Sequence, residues 1–255
     1  MEPRGLLALS GLLVLSACGG GGGMMSASTT PMPTSTPPAP MNPTPGGPMN
    51  PMNPMTPMSV PGEAAVGAFL QTRHESLLHD QNGAMAVIAN LPGAKSGTFN
   101  GFAPAYAATH LQSLRSGEEP ATTKAVTHYF LAHPYMPLGK VGAEGRPFGL
   151  VTVSFGVPTT LKAGDSGPVD NLTYFHDSGN RVAEAAEATS YTVAARDARS
   201  LRLCMTSVVT GVTSQGTADG LKAGSQTDCY AVTPTGASEL ESVALADSPA
   251  SLTFR

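Results

Sequence analysis

The sequence predicts a mainly β domain, either an antiparallel β-sandwich or a barrel-like fold, behind a long segment without helix or strand. Short apolar or alternating runs recur from Glu63 to the end of the chain, and such runs are typical of buried and half-buried strands. Turn residues such as Asn82-Gly83 and Asp219-Gly220 separate these runs. Spacings of roughly 8 to 20 residues between turns favour antiparallel strands joined by short connections.

Composition divides the chain into three parts: residues 1–17, residues 18–62 and residues 63–255. Residues 19–62 contain no charged side chain and hold twelve of the chain's 23 prolines. Because proline fixes φ and removes an amide donor, this segment is expected to be a disordered linker that favours polyproline II. Charged and β-branched residues appear together from Glu63 onward, so we predict a single folded domain there.

Within the predicted domain, the residues from Ala64 to Leu78 have loose helical spacing and predict a short amphipathic helix. Asn82-Gly83 predicts a hairpin turn into a buried strand over Met85 to Leu91. Residues 105–114 fit a helix and a strand equally well. Alternation over residues 148–155 predicts a half-buried strand with Val151, Val153 and Phe155 on one face. Further strands are predicted within residues 126–132, 172–175, 191–194, 201–209, 230–232, 243–245 and 252–254.

Four residues near the start, Leu15-Ser16-Ala17-Cys18, end an apolar run with small residues and then a cysteine. This tetrapeptide resembles the lipobox of bacterial lipoproteins. Arg4 matches the basic start of such a signal peptide, and residues 6–15 match its apolar region, which is far shorter than the roughly 20 residues of a membrane span. The resemblance implies cleavage before Cys18 and lipid on its sulfur, so the protein would be held at a membrane of the cell envelope. Gly19, where an aspartate would favour the inner membrane, favours the outer membrane.

The chain has three cysteines, Cys18, Cys204 and Cys229. If Cys18 carries lipid, Cys204 and Cys229 remain. Exported proteins reach an oxidising compartment in which thiol pairs form disulfides. We therefore predict a disulfide between Cys204 and Cys229.

The sequence assigns no catalytic, cofactor-binding or metal-binding residue. Residues 164–168 (Gly-Asp-Ser-Gly-Pro) resemble the nucleophile segment of trypsin-like serine proteases but lack one glycine, and we expect Ser166 to lie in a turn. His74 and His79 are five residues apart, whereas the zinc-protease motif requires four. His176 is expected at the start of a turn without a partner nearby in sequence. The net charge of −4 and the lack of a basic cluster argue against a nucleic-acid partner.

Met49, Met52, Met55 and Met58 recur every third residue of the predicted linker. Polyproline II has three residues per turn, so the four thioethers would share one face, and thioethers favour Cu(I). The segment is similar to the Met-rich stretches of exported copper-handling proteins. Multiplication of a Pro-Met-Asn triplet in a spacer explains the same pattern without a metal.

These observations favour a lipid-anchored exported protein with a non-catalytic binding or envelope-structural role and an unidentified protein or glycan partner. One alternative is an envelope hydrolase whose site is assembled from residues scattered in sequence. Another is copper handling through the Met-rich linker.

Overall fold

A computed structural model of the chain describes residues 58–93, 97–115, 120–179, 182–247 and 250–255. The predicted signal peptide, the predicted lipidation site Cys18 and the predicted linker up to residue 57 lie outside the described residues. The helices are α1 (Gly62–Gln71) and α2 (Ser214–Ala218), and a short 3-10 turn covers Ala143–Gly145. The strands are β1 (Ser59–Val60), β2 (His74–His79), β3 (Met85–Pro92), β4 (Gly97–Phe99), β5 (Phe102–Arg115), β6 (Thr122–Ala132), β7 (Tyr135–Gly142), β8 (Phe148–Ser154), β9 (Leu161–Lys162), β10 (Ser166–Phe175), β11 (Ala183–Ala195), β12 (Leu201–Thr210), β13 (Gly224–Val232), β14 (Ser238–Asp247) and β15 (Ala250–Phe254).

Within the described residues, 13 strands form one antiparallel sheet. Its order is β2-β3-β5-β6-β7-β8-β10-β11-β12-β13-β14-β15, with β4 paired to β5 beside this path. The two ends of the path meet where the amide of His79 donates to the carbonyl of Arg255 at 3.0 Å and the amide of Arg255 donates back at 2.9 Å. The sheet is therefore nearly closed, and the predicted mainly β, antiparallel and barrel-like fold is confirmed.

Helix α1 lies over one end of this sheet. It contacts β3, β7 and β14, which are far apart in the strand order. The side-chain amide of Asn90 on β3 donates to the carbonyls of Phe69, Leu70 and Thr72 at 2.8 to 3.1 Å. Because these carbonyls lie at the C-terminal end of α1, where carbonyl groups run out of intrahelical donors, Asn90 supplies donors to them and fixes the helix on the sheet.

An apolar cluster fills the end of the sheet under α1. The two-stranded pair of β1 and β9 belongs to it, and Val60 and Leu161 are fully buried there. Met58, the last of the four regularly spaced methionines, packs against the same cluster. The folded region thus includes residues that precede Glu63, and Met58 contributes to packing at this end.

Two local predictions fail for identifiable reasons. Helix α1 ends at Gln71, and the residues up to Leu78 form β2, in which Leu78 is buried while its neighbour Leu77 is 59% exposed. In β8, Leu172 pairs with Val151 and Asn171 pairs with Val153, so Thr152 is an extra residue in the ladder. Such a bulge moves the following side chains to the other face.

The consequence of this bulge is that Val153 and Phe155 are exposed, at 44% and 57%, instead of sharing a buried face with Val151. The ambiguous segment 105–114 is part of β5, which pairs with β3 on one side and β6 on the other.

The predicted disulfide is present. Cys204 on β12 and Cys229 on β13 are directly opposed in the ladder and are bonded to each other. Among the described residues, no helix is long and apolar enough to span a bilayer.

Candidate functional site

Charged and polar side chains project into the interior of the barrel-like sheet. The clearest pair is Lys140 on β7 and Glu187 on β11, whose side chains form an ion pair. Strands β8 and β10 lie between β7 and β11 in the sheet. Side chains of strands so separated can meet only by crossing the interior, so this pair marks the inner face of the sheet.

Hydrogen bonds surround the carboxylate of Glu187. The hydroxyl of Tyr174 on β10 donates to Oε2 at 2.6 Å, and the hydroxyl of Thr189 lies 3.4 Å from Oε1. Gly149 on β8 makes room for this arrangement, because a Cβ there would lie 2.9 Å from the Tyr174 ring. A glycine at this position of β8 is therefore explained by the close passage of two side chains of β10, Tyr174 and Leu172, the latter 2.7 Å from such a Cβ.

The ion pair is charged at neutral pH. Burial would raise the pKa of Glu187, but Lys140 and the hydrogen bonds from Tyr174 and Ser207 outweigh burial and lower this pKa to about 2. Burial would lower the pKa of Lys140, but the carboxylates of Glu187 and Asp170 outweigh it, and the pKa is raised. Each charge thus stabilises the other, as a buried pair requires.

Two further carboxyl groups lie in the interior. Asp170 on β10 is 5% exposed, and its Oδ1 has no hydrogen-bond partner among the described residues. The side-chain amide of Gln226 donates to both oxygens of Asp228 on β13, at 2.9 and 3.1 Å. Burial raises the pKa of both aspartates, although Lys140 acts in the opposite direction on Asp170.

Two histidines lie on the same inner face, His110 on β5 and His128 on β6, with ring centroids 6.2 Å apart. Burial lowers the pKa of His110 and lowers that of His128 well below the ordinary value, so both rings are neutral at pH 7. His110 interacts electrostatically with Asp228 although β5 and β13 are far apart in the sheet order. Its Nε2 and the amide nitrogen of the neighbouring Gln112 lack hydrogen-bond partners among the described residues.

Several of these inward-facing side chains keep accessible surface. The side chain of Lys140 keeps 17% of its surface accessible. His110, His128, Ser207, Gln226 and Asp228, which lie along the same inner face, are also only partly buried. Accessible surface on these inward-facing groups means that water can reach them.

The residues singled out from the sequence lie elsewhere. The turn before β10 covers residues 162–165, with Gly164 at φ +96° and Asp165 accepting from the amide of Lys162 at 2.7 Å. Ser166 follows as the exposed first residue of β10, so the expectation that Ser166 itself lies in a turn was wrong by one residue. His74 is stacked on Phe69 at 4.6 Å, whereas His79 is exposed at the end of the same strand.

The sequence prediction assigned no role to the six ionisable interior residues. The sequence feature that could have identified them is a polar side chain at a position where the alternation of the strand predicts an apolar one. In β11, buried positions alternate as Glu187, Thr189, Tyr191 and Val193. A charged residue in such a series is either paired in the fold or functional. The partner, however, comes from another strand and cannot be identified by spacing. The six residues are His110, His128, Lys140, Asp170, Glu187 and Asp228.

This arrangement combines hydrogen-bond donors with acceptors. The one lysine of the set is paired with Glu187, and the two histidines are neutral, so the carboxyl groups of Asp170 and Asp228 have no cation of their own in the set. An anionic ligand would therefore find no free cation here, whereas a ligand with several hydroxyl groups would find both donors and acceptors. Comparisons of the chain with protein-family models, with curated proteins and with solved structures gave no match.

Proposed function

We propose that this chain is an exported lipoprotein, anchored through lipid on Cys18, whose barrel-like domain binds a small saccharide in its polar interior. The observation that supports the binding role is a set of inward-facing polar side chains, among which Lys140 keeps accessible surface while Asp170, His110 and Gln112 each carry a buried atom without a hydrogen-bond partner among the described residues. Buried polar groups normally have hydrogen-bond partners, so unpaired ones favour an external ligand.

The anchor and the linker support the proposed location. Two or three acyl chains hold a protein firmly at a membrane, whereas one chain holds it marginally. A polyproline II segment of about 40 residues would reach about 120 Å at about 3.1 Å per residue. The domain would then meet soluble or surface-bound molecules of the cell envelope, most simply at the outer membrane.

The unpaired atoms favour a saccharide as the ligand. A sugar hydroxyl can donate to Oδ1 of Asp170 and accept from the amide of Gln112, and the neutral ring of His110 can serve in either role. The site lacks an unpaired lysine among the described interior residues, which disfavours phosphorylated or carboxylated ligands. A protein partner would instead need a broad surface, not an interior lined by isolated polar groups.

The test is equilibrium binding of the full chain in detergent micelles to a panel of neutral and amino sugars of the cell envelope, measured by calorimetry. We expect one sugar class to bind, and Asp170→Asn and Gln112→Leu to weaken that binding at least tenfold. Glu239→Gln, an exposed change on β14, should leave it unchanged and is the matched control. Equal binding by all four proteins would contradict the proposed site.

A second candidate is hydrolysis of a glycan at the same place. It is favoured by Asp170 and Glu187, which interact on neighbouring strands and whose pKa values are shifted in opposite directions, the first raised and the second lowered. Glycoside hydrolysis uses two carboxyl groups whose environments shift their pKa values apart in this way. The expected signal is release of reducing ends that Asp170→Asn abolishes and Ser166→Ala leaves intact. Binding without release would exclude this candidate.

A further inference from the structure

A second group of ionisable side chains converges at the rim of the sheet, away from the interior site. His176 directly follows β10, Glu184 lies on β11, and Asp219 caps the end of α2. Nδ1 of His176 is 2.5 Å from Oδ2 of Asp219 and 4.0 Å from Oε1 of Glu184. One ligand atom from each of the three lies within 4.8 Å of the others.

The two carboxyl groups of this group are buried. The side chains of Glu184 and Asp219 are 3% and 7% exposed, and that of His176 is 24% exposed. Oε2 of Glu184 has no hydrogen-bond partner among the described residues. A buried carboxylate oxygen without a donor, beside a second carboxylate, is costly unless a proton or a cation lies between them. Burial, the larger cause, and the proximity of Asp219 both raise the pKa of Glu184.

We propose that His176, Glu184 and Asp219 bind a Zn²⁺ ion. Zinc takes four ligands from imidazole nitrogen and carboxylate oxygen at about 2.0 to 2.2 Å, which places tetrahedral ligand atoms about 3.3 Å apart. The distances of 2.5 and 4.0 Å from Nδ1 of His176 bracket this value. Calcium prefers six to eight oxygen ligands, and the imidazole therefore favours zinc.

Gln215 can supply the fourth ligand. The side-chain nitrogen of Gln215 on α2 lies 3.4 Å from Nδ1 of His176 and 3.4 Å from Oδ1 of Asp219. Rotation of this exposed amide by half a turn would present its oxygen to the same point. Water would fill the position otherwise.

Two neighbouring charged side chains, those of Arg146 and Asp177, affect the binding of the ion. Nη1 of Arg146, on an exposed side chain, lies 3.4 Å from Nε2 of His176. A donor at Nε2 keeps the histidine proton on Nδ1, where it faces Asp219. Zinc binding at Nδ1 moves this proton to Nε2, so Arg146 must move away from the ring. Asp177 adds negative charge near Glu184, which favours the cation.

Zinc would join two connections that are distant in sequence. His176 and Glu184 flank the turn between β10 and β11, whereas Asp219 belongs to the connection between β12 and β13, 43 residues after His176. The ion would therefore fix α2 against the rim of the sheet and leave at most one position for water.

The experiment is titration of the full chain, stripped of metal and kept in detergent, with Zn²⁺ in competition with a chromophoric chelator. We expect one ion per chain, with His176→Ala, Glu184→Gln and Asp219→Asn each weakening binding by at least about tenfold. Arg146→Gln should strengthen binding, since it removes a cation and the donor at Nε2. His79→Ala, at an exposed histidine outside the group, should bind like the parent.

Several outcomes would overturn the proposal. They are the absence of Zn²⁺ binding by the parent, unchanged affinity in all three ligand variants, weaker binding by Arg146→Gln, and displacement of Zn²⁺ by equimolar Ca²⁺. Should the buried change Glu184→Gln prevent folding, the two more accessible changes His176→Ala and Arg146→Gln still decide the question, because the proposal predicts effects of opposite sign for them.

Discussion

Lys140 and Glu187 pair across the interior of the sheet, although they lie on strands separated by two others and are 47 residues apart in sequence. The pair connects opposite parts of the inner face and excludes apolar packing there. Buried pairs of this kind contribute little over a hydrophobic replacement, but the loss of one partner leaves an uncompensated charge.

Glu187→Gln should therefore lower the free energy of unfolding by about 3 to 5 kcal/mol, the usual cost of leaving one charge of a buried pair alone. Urea unfolding of the full chain measures this value. The exposed pair of Arg202 and Glu241 supplies the control, because Arg202→Gln should cost less than about 1 kcal/mol. Equal losses in the two variants would mean that the interior pair is solvated like a surface pair.

Stability should decline as the pH falls below about 6.5, the ordinary pKa of histidine. Burial lowers the pKa of His128 and His110 in the folded chain, so below pH 6.5 the unfolded chain binds protons that the folded chain does not. Each histidine then lowers the free energy of unfolding by up to about 1.4 kcal/mol per pH unit, until the pH reaches the pKa of that histidine in the folded chain.

His128→Gln removes one of these contributions and should give a shallower decline, measured by urea unfolding at a series of pH values from about 7 to 5. The raised pKa of Asp170 has the opposite effect on the pH dependence of stability. Asp170 is present in both proteins, so the difference between the pH profiles of the variant and the parent gives the contribution of His128. Superimposable pH profiles would show that His128 does not change its protonation between the folded and unfolded chains.

The disulfide between Cys204 and Cys229 should stabilise the domain substantially. It closes a loop of 25 residues, for which the loss of unfolded-state entropy is worth about 3 to 4 kcal/mol. Reduction should lower the Tm, and Cys204→Ser and Cys229→Ser should lower it by similar amounts. Two titratable thiols in the unreduced protein would show that the bond is absent in solution.

Local patterns in the sequence were sufficient for most of the fold. The apolar run after Asn82-Gly83 located β3, and the compartment and parity of the cysteines identified the disulfide. The end of α1 was missed because Leu77 and Leu78 fit helical spacing as well as they fit β2. The exposure of Phe155 was missed because the bulge at Thr152 depends on pairing with β10.

The candidate sites were missed for a different reason. Glu187 and Lys140, like His176 and Asp219, become neighbours only in the folded sheet, which brings together strands and connections that are distant in sequence. His176 was expected at the start of a turn without a partner nearby in sequence, and in the fold it contacts Asp219 and Glu184. Spacing along one strand carries no information about such contacts.

The lipid anchor has its own test in metabolic labelling with palmitate. Cys18→Ala should abolish labelling and release the protein from the detergent phase, whereas Cys204→Ser should still be labelled because its lipidated cysteine is intact. Labelling of the Cys18→Ala protein would rule out the proposed anchor. This measurement does not depend on the fold of the domain.

The central claim, that a small saccharide binds inside the barrel-like sheet, is tested most directly by NMR of the histidine side chains. On titration of the full chain in micelles with the sugar that binds, the imidazole signals of His110 and His128 should shift in proportion to occupancy. The signals of the exposed His79 and His133 should stay in place. Saturable binding that leaves His110 and His128 unchanged would place the ligand elsewhere and contradict the proposal.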